Sequence, residues 1–442
     1  MRAALAVLLG LHVVSTRLPI EHVWGVGGFP AVPAWARAVL VAAVVVALLP
    51  GVSLRLRLSG ARAWPLLERR AGTLTLAGVA GVLFWVGRLR HLRWGDAYIF
   101  VQAIAHPEYR LTYNWQAPLD VFVHAKAWAL AHRLFGWDVQ TVYAVLSCLA
   151  GVVYVILALS LARSLAQHPA GRFWAAGLLL TLGSVQLFCG YVESYTIIPV
   201  GIMCFLLVGL RRLHGTGSLW APSLALAITI AFSPSALPVG AGLAYLTLRR
   251  CLRLRNARPL VESVTPLVAV GVGVVMLMEC GGHGLHSLFG EDFPGGADRS
   301  WFVPLSEPKG PWQHYTMFSW AHFRDVLNEQ LLVAPVSLLA ILWSLAFFRK
   351  APDTNRAATV FLGLCAVAYL ALTFVWNPDY GGRRDWDLFA PASFPLTAFA
   401  LHLLMSRVPR SARATALPAL VVFSAAHLIP WVYFNTRPWP WD

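Results

Sequence analysis

An all-α bundle of membrane-spanning helices is the fold class that the sequence predicts, and three observations predict it. Of 442 residues, 58% are hydrophobic and only 12% charged, with a mean hydropathy of +0.63. A soluble domain carries roughly 25% charged residues. The apolar residues fall in runs of about 17–25, the length at which a helix crosses a hydrocarbon core. The charged residues collect between those runs rather than within them.

Taken in order, the runs give about thirteen spans. They lie near 2–17, 33–52, 71–87, 136–162, 173–188, 191–210, 219–233, 235–248, 260–279, 331–348, 357–376, 388–406 and 414–434. The first, around Ala3–Val14, reads as a retained span because no small-residue cleavage site follows it. Ser233-Pro234-Ser235 reads as a turn between two of them. The connections alternate in charge. Met1–Arg2, 53–70, 163–172, 211–218, 249–259, 349–356 and 407–413 hold about 21 of the 35 lysines and arginines. With their immediate flanks they hold only Glu68, Glu262 and Asp353 of the 20 acids. A Lys/Arg excess marks the cytoplasmic side. The N-terminus is then inside, the C-terminus outside, and the remaining acids face outward.

The chain reads as one transmembrane domain, 1–442, with two long outer segments, 88–135 and 280–330. No soluble domain is expected after the last span, only the interfacial tail NTRPWPWD. The net charge of +15 is spread over short loops. That is topogenic charge in contact with membrane lipids, not a nucleic-acid surface. No phosphate-binding loop, dinucleotide fingerprint or Ser-His-Asp order is present. The Ala/Arg/Gly-rich usage and compact loops fit a bacterial inner membrane. The six cysteines show no metal spacing and read as small core residues. Cys189 and Cys280 are placed on the outer side, where a disulfide is possible.

The outward acids define the candidate chemistry and make a lipid-linked donor a better expectation than a cytosolic nucleotide. Asp96 follows Gly95 at the start of the amphipathic stretch 97–105. It suits a general base for an incoming hydroxyl or amine, and equally an N-cap of an interfacial helix. A second such stretch, PLDVFVHAKAWALAHRLFG, spans 118–136. Glu193, in CGYVESYTIIP, opens the sixth span. A helix dipole stabilises an acid there; alternatively Tyr191, Glu193 and Tyr195 bind a sugar through hydroxyls and ring faces.

The stretch GGRRDWDLFAP, 381–391, places four charges against a span. Each would cost ~2.5–3.5 kcal/mol at the bilayer centre, so the stretch belongs at an interface or in a pocket. Gly381 and Gly382 permit a tight turn. Arg383 and Arg384 suit bidentate phosphate binding. Asp385 and Asp387 suit orienting those guanidiniums or binding sugar hydroxyls. Trp386 suits stacking on a sugar or an interfacial belt. In the Gly-, Pro- and aromatic-rich segment 280–330, His283, His286, His314 and His322 match no metal motif. No cofactor is therefore expected, with a divalent metal left open. Asp325, Asn328 and Glu329 either line a cavity or form a solvated helix face.

The motif RWGDAY (93–98), then QAPLDVFVHAKAWALAHRLFG (116–136) and a long span ending in LAR, resembles the first outer loop of the GT-C membrane glycosyltransferases. The protein O-mannosyltransferases and bacterial aminoarabinose transferases are the nearest look-alikes. Residues 189–199 resemble the short outer turn of that family, and the likeness covers roughly 80–210. It departs at one point: the family shows two near-adjacent acids, whereas after Asp96 the next acid is Glu108. The resemblance implies inverting transfer of a sugar from a polyprenyl-phosphate carrier to a lipid, glycan or protein acceptor outside the cytoplasm, with Asp96 as base. The alternatives are a transporter or flippase of lipid-linked sugars, a ligase or polymerase using a polyprenyl-diphosphate oligosaccharide, and a non-catalytic relative.

Overall fold

The computed structural model describes residues 1–215, 218–290, 300–347 and 356–439. The basic connection 349–355 with Asp353, and residues 291–299 of the second outer segment, lie outside the described residues. The architecture is all-helical. The helices are α1 (Arg2–Ser15), α2 (Ala34–Leu48), α3 (Pro50–Glu68), α4 (Arg70–Val86), α5 (Ala97–Ala105), α6 (Pro118–Phe135), α7 (Val139–Leu165), α8 (Pro169–Leu180) and α9 (Ile198–His214). They continue with α10 (Trp220–Phe232), α11 (Gly240–Leu254), α12 (Arg258–Cys280), α13 (Trp320–Val333), α14 (Ser337–Leu345), α15 (Arg356–Val375), α16 (Ser393–Arg407) and α17 (Arg410–Asn435).

Among the described residues five helices are long and apolar enough to cross a membrane, or up to seven if each bent pair is one span. The five are Val139–Leu165, Arg258–Cys280, Arg356–Val375, Trp386–Arg407 and Arg410–Asn435. Of the further expected spans, α1, α4 and α10 are shorter apolar helices. The bent pairs show where the sequence reading was too simple. Residues 53–70, read as a basic loop, are helical as α3, which leaves α2 at 91°. Pro50 sits at the first position of α3, where its missing N–H costs nothing. Its residue Gly60 packs against Trp174 and Phe173. The run 331–348 is broken between α13 and α14 by a 97° bend. Pro335 at that break drives Ala334 out of the helical region, to φ −149° and ψ 64°. Residues 191–197 are not helical either; α9 begins only at Ile198, with Pro199 in its first turn. The chain does leave the helix at Ser233, as the turn reading expects.

The segment Trp386–Arg407 is central: 83% of its apolar window is buried, against 17% for the peripheral α12. The core clusters around it, with Phe188, Phe394, Tyr154 and Phe361 fully buried. Close helix approach depends on small residues. At Gly209 and Gly242 an added Cβ would overlap Phe361 and Cys365. The two amphipathic stretches of 88–135 are helical, as α5 and α6, and α6 ends on Gly136 in the left-handed region (φ +67°).

Candidate active site

Four segments far apart in sequence meet at one end of the bundle, held together largely through backbone groups. The Leu89 N–H donates to the Cys189 carbonyl at 2.9 Å, Gly95 N–H to Arg384 O at 3.0 Å, and Arg90 N–H to Asn435 O at 3.0 Å. The Trp94 indole donates to Asn435 Oδ1 at 2.7 Å. These ties bring Asp96, Glu193 and Asp387 to one place. Gly95 sits between them at φ +48°. A Cβ on Gly95 would lie 2.6 Å from Glu193 Oε1 and 2.8 Å from Asp387 Oδ2. A side chain here would have to push both carboxylates aside, and the positive φ disfavours it as well.

Asp96 occupies the position before α5, yet its side chain makes no capping bond. Instead Oδ1 accepts the Tyr380 hydroxyl at 2.9 Å. The capping alternative therefore fails. Asp96 is only partly buried, whereas Glu193 and Asp387 are 2% and 1% exposed. Glu193 lies ahead of α9, so the helix-dipole reading does not apply to it. Its Oε1 accepts the Asp96 N–H at 2.5 Å and its Oε2 the Ser194 N–H at 2.7 Å. Glu193 thus places a second acid against the Asp96 backbone.

The stretch 381–391 turns as expected. Gly381 has φ +82°, and its carbonyl accepts the N–H groups of Arg384 and Asp385 at 3.0 and 3.1 Å. The side chains then sort by charge in a way the sequence reading did not foresee. Asp385 and Asp387 point inward and are buried. Asp387 accepts Tyr191 Oη at 3.2 Å and the Leu388 N–H at 3.1 Å; Asp385 accepts the Tyr380 N–H at 2.8 Å. Arg384 is exposed, its guanidinium 4.2 Å over the Tyr380 ring. Arg383 is half-buried and lines a crevice with Trp24, Trp94 and Trp431. Neither arginine is ion-paired with Asp385 or Asp387, so these acids do not orient the guanidiniums. Tyr191 and Trp386 are fully buried, edge to face at 5.4 Å. They seat Asp387 and present no free ring face for a sugar.

The neighbouring helix α13 closes the site from another side. Asp325 accepts the Trp24 indole at 3.2 Å, and Asn328 bonds to Gly25 N–H at 2.8 Å and His22 O at 3.1 Å. Glu329 is 2% exposed, and neither of its oxygens has a partner among the described residues. It lies within electrostatic reach of Asp387 and Asp385.

The carboxyls perturb one another. Burial raises Asp96 above the ordinary carboxylate range, against the Tyr380 hydroxyl and the Arg384 charge, which lower it. Glu193 is raised further, by burial first and then by the charges of Asp387 and Asp96. Asp385 is raised by burial and by Asp387. Acids crowded in low dielectric hold their protons longer, and a raised carboxyl that still reaches solvent is suited to proton transfer near neutrality. Arg383 is lowered by burial and by Arg93, with Glu21 opposing.

Tyr380 is the residue that sequence reasoning missed. Its signal was position alone, a tyrosine next to a charged run. Three of the histidines of 280–330 pack or bond locally: His283 stacks on Tyr113 and His322 on Tyr315, and His314 bonds to the Asp379 carbonyl at 2.8 Å. Among the described residues no three His, Cys, Asp or Glu are placed to hold a metal ion. All six cysteines are free, with Cys189 buried and Cys280 exposed, so the disulfide reading fails.

No family model and no curated protein matches the sequence. Among solved structures the chain is similar to ArnT from Cupriavidus metallidurans. The form bound to undecaprenyl phosphate aligns with TM-score 0.52 at 14% identity, covering 83% of this chain and 77% of that one. The apo form aligns with TM-score 0.52 at 14% identity, covering 83% and 76%. The Archaeoglobus fulgidus oligosaccharyltransferase tethered to an acceptor peptide gives TM-score 0.47 at 13% identity, covering 84% and 56%. At these identities the ArnT likeness is one of fold, and it shows that this chain shares the helical architecture of ArnT.

Proposed function

We propose that this chain is a GT-C-type glycosyltransferase that moves a sugar from a polyprenyl-phosphate carrier to an acceptor on the non-cytoplasmic side of the membrane. The observation that carries the reading is the placement of Asp96: a carboxylate that still reaches solvent, freed from capping, held by Tyr380 and backed by Glu193 and Asp387. In this reading Asp96 takes the acceptor proton as the acceptor oxygen or nitrogen attacks the anomeric carbon, and the bond to the carrier phosphate breaks. Inversion follows from a single displacement. Arg384, exposed above Tyr380, and Arg383 in its tryptophan-lined crevice bind the carrier phosphate and stabilise it as it leaves. Glu193, Asp385 and Asp387 position the turn and the base, and Tyr191 and Trp386 hold Asp387.

The fold likeness to a protein solved with undecaprenyl phosphate supports a polyprenyl-phosphate partner. The outward orientation in a bacterial inner membrane belongs to the same proposal, as does the thirteen-span count. The test uses the purified protein in liposomes with polyprenyl-monophosphate and -diphosphate sugars and mixed cell-envelope acceptors. Release of free polyprenyl phosphate from one monophosphate donor supports the proposal. Release only from diphosphate donors moves the reading to the ligase class, and movement of a donor across the bilayer without release makes it a transporter.

A further inference from the structure

A second cavity lies away from the acidic end. It holds about 440 Å³ and lies where α8 and α17 begin and α16 ends. Helix α16 runs between the two ends, its N-terminus beside the acidic site and its C-terminus at this cavity. Its 15 residues separate them by about 22 Å at ~1.5 Å per residue.

The wall carries Arg57 from α3, Arg407 from the end of α16, and Arg410 and Arg413 from the first turn of α17, with His168 beside them. Among the described residues no Asp or Glu lines it. Glu68, on the same helix as Arg57, is instead bonded to Arg172 at 2.9 Å. Two helix N-termini also open here, those of α8 through Ala170 and Gly171 and of α17 through Arg410. Both add positive potential and unsatisfied N–H groups. Arginines at a helix N-terminus oppose the dipole, so the arrangement is unfavourable without an anion. Arg413 is fixed in place by donating to the Leu404 and Met405 carbonyls. The lining also has an apolar part, from Leu165, Trp174 and Leu417.

We propose that this cavity is a binding site for a phosphate-bearing anion, built to take an acidic phospholipid headgroup between α3, α8 and α17 with its first acyl carbons against Trp174 and Leu417. Basic pockets between spans at the Lys/Arg-rich face bind such headgroups, and bidentate guanidinium contacts suit phosphate. Inorganic phosphates share the chemistry of the polar wall and not that of the apolar one. The proposal is independent of the glycosyltransferase reading.

The experiment measures the thermal midpoint of the purified full chain in detergent. Phosphatidylglycerol, phosphatidylcholine or inorganic pyrophosphate is added to wild type, Arg410→Gln, and Arg57→Gln/Arg410→Gln. Arg2→Gln/Arg437→Gln serves as a charge-matched control. Phosphatidylglycerol is expected to raise the wild-type midpoint by several degrees more than phosphatidylcholine, with at least half of that gain lost in the double variant and retained in the control. Without lipid, Arg410→Gln is expected to be at least as stable as wild type, because it removes a cation from a helix N-terminus; a structural arginine would show the reverse. A gain reproduced by pyrophosphate and lost in the double variant keeps the phosphate site and makes its ligand soluble. Equal gains in wild type and double variant, or no gain with either anion, would overturn the proposal.

Discussion

Replacing Tyr380 with phenylalanine isolates one bond at the centre of the account. The hydroxyl donates to Asp96 Oδ1 at 2.9 Å and favours the ionised carboxylate. The ring does separate work, beneath the Arg384 guanidinium at 4.2 Å and edge-on to Trp312 at 5.7 Å. Phenylalanine keeps the ring and removes only the donor. A hydrogen bond to a charged group is worth ~1.5–3 kcal/mol. Asp96 is only partly buried, so the lower end applies, and ~1.4 kcal/mol corresponds to about tenfold. Tyr380→Phe should therefore move the acid limb of kcat/KM to higher pH. At a fixed acidic pH the rate should fall about tenfold, with the alkaline plateau nearly unchanged. The assay is polyprenyl-phosphate release in liposomes as a function of pH. An unmoved acid limb, or one moved to lower pH, would refute the role given to Asp96 and its partner.

Gly95→Ala and Gly136→Ala form a matched pair, since both glycines have positive φ but only Gly95 abuts the carboxylates. Gly136→Ala should lose only the ~1–2 kcal/mol of left-handed strain, whereas Gly95→Ala should lose more and also abolish turnover, read by denaturation and release assays. Because Asp96, Glu193 and Asp385 are all raised in the folded state, the native protein binds more protons than the unfolded chain above the ordinary carboxylate range. Stability is then greatest at or below that range and falls as pH rises through the raised values. Thermal midpoints between roughly pH 4 and 8 should show this decline, and Glu193→Gln should flatten it. Arg384→Ala should weaken the transfer transition state by ~1.5–3 kcal/mol, about ten- to a hundredfold in kcat/KM, with little change in stability because the side chain is exposed.

The helical architecture was legible because hydrocarbon imposes it: long apolar runs have few alternatives to helix. Helices α5 and α6 were legible from their amphipathic spacing and from Pro118 and Gly136 at the ends of α6. Hydropathy does not report direction, so the 91° turn after α2 and the bend at Pro335 disappeared inside apolar or basic runs. The candidate site was legible as a list, because acids on a greasy chain must be either paired or functional. Its wiring was not. That Asp96 meets Tyr380 and Glu193, that Asp385 and Asp387 turn away from Arg383 and Arg384, and that Tyr191 is packed rather than presented depend on contacts between residues 97 to 284 apart in sequence. Glu193 looked like a helix-terminal acid only because α9 begins later than its apolar run suggests.

The most direct test of the central claim is single-turnover release of polyprenyl phosphate by wild type and Asp96→Asn, each saturated with its donor in liposomes. Asparagine keeps the size and the bond to Tyr380 but takes no proton. The account predicts a loss of ~10²–10⁴-fold in the Asp96→Asn rate, with donor affinity and thermal midpoint retained. Wild-type turnover in Asp96→Asn would contradict it.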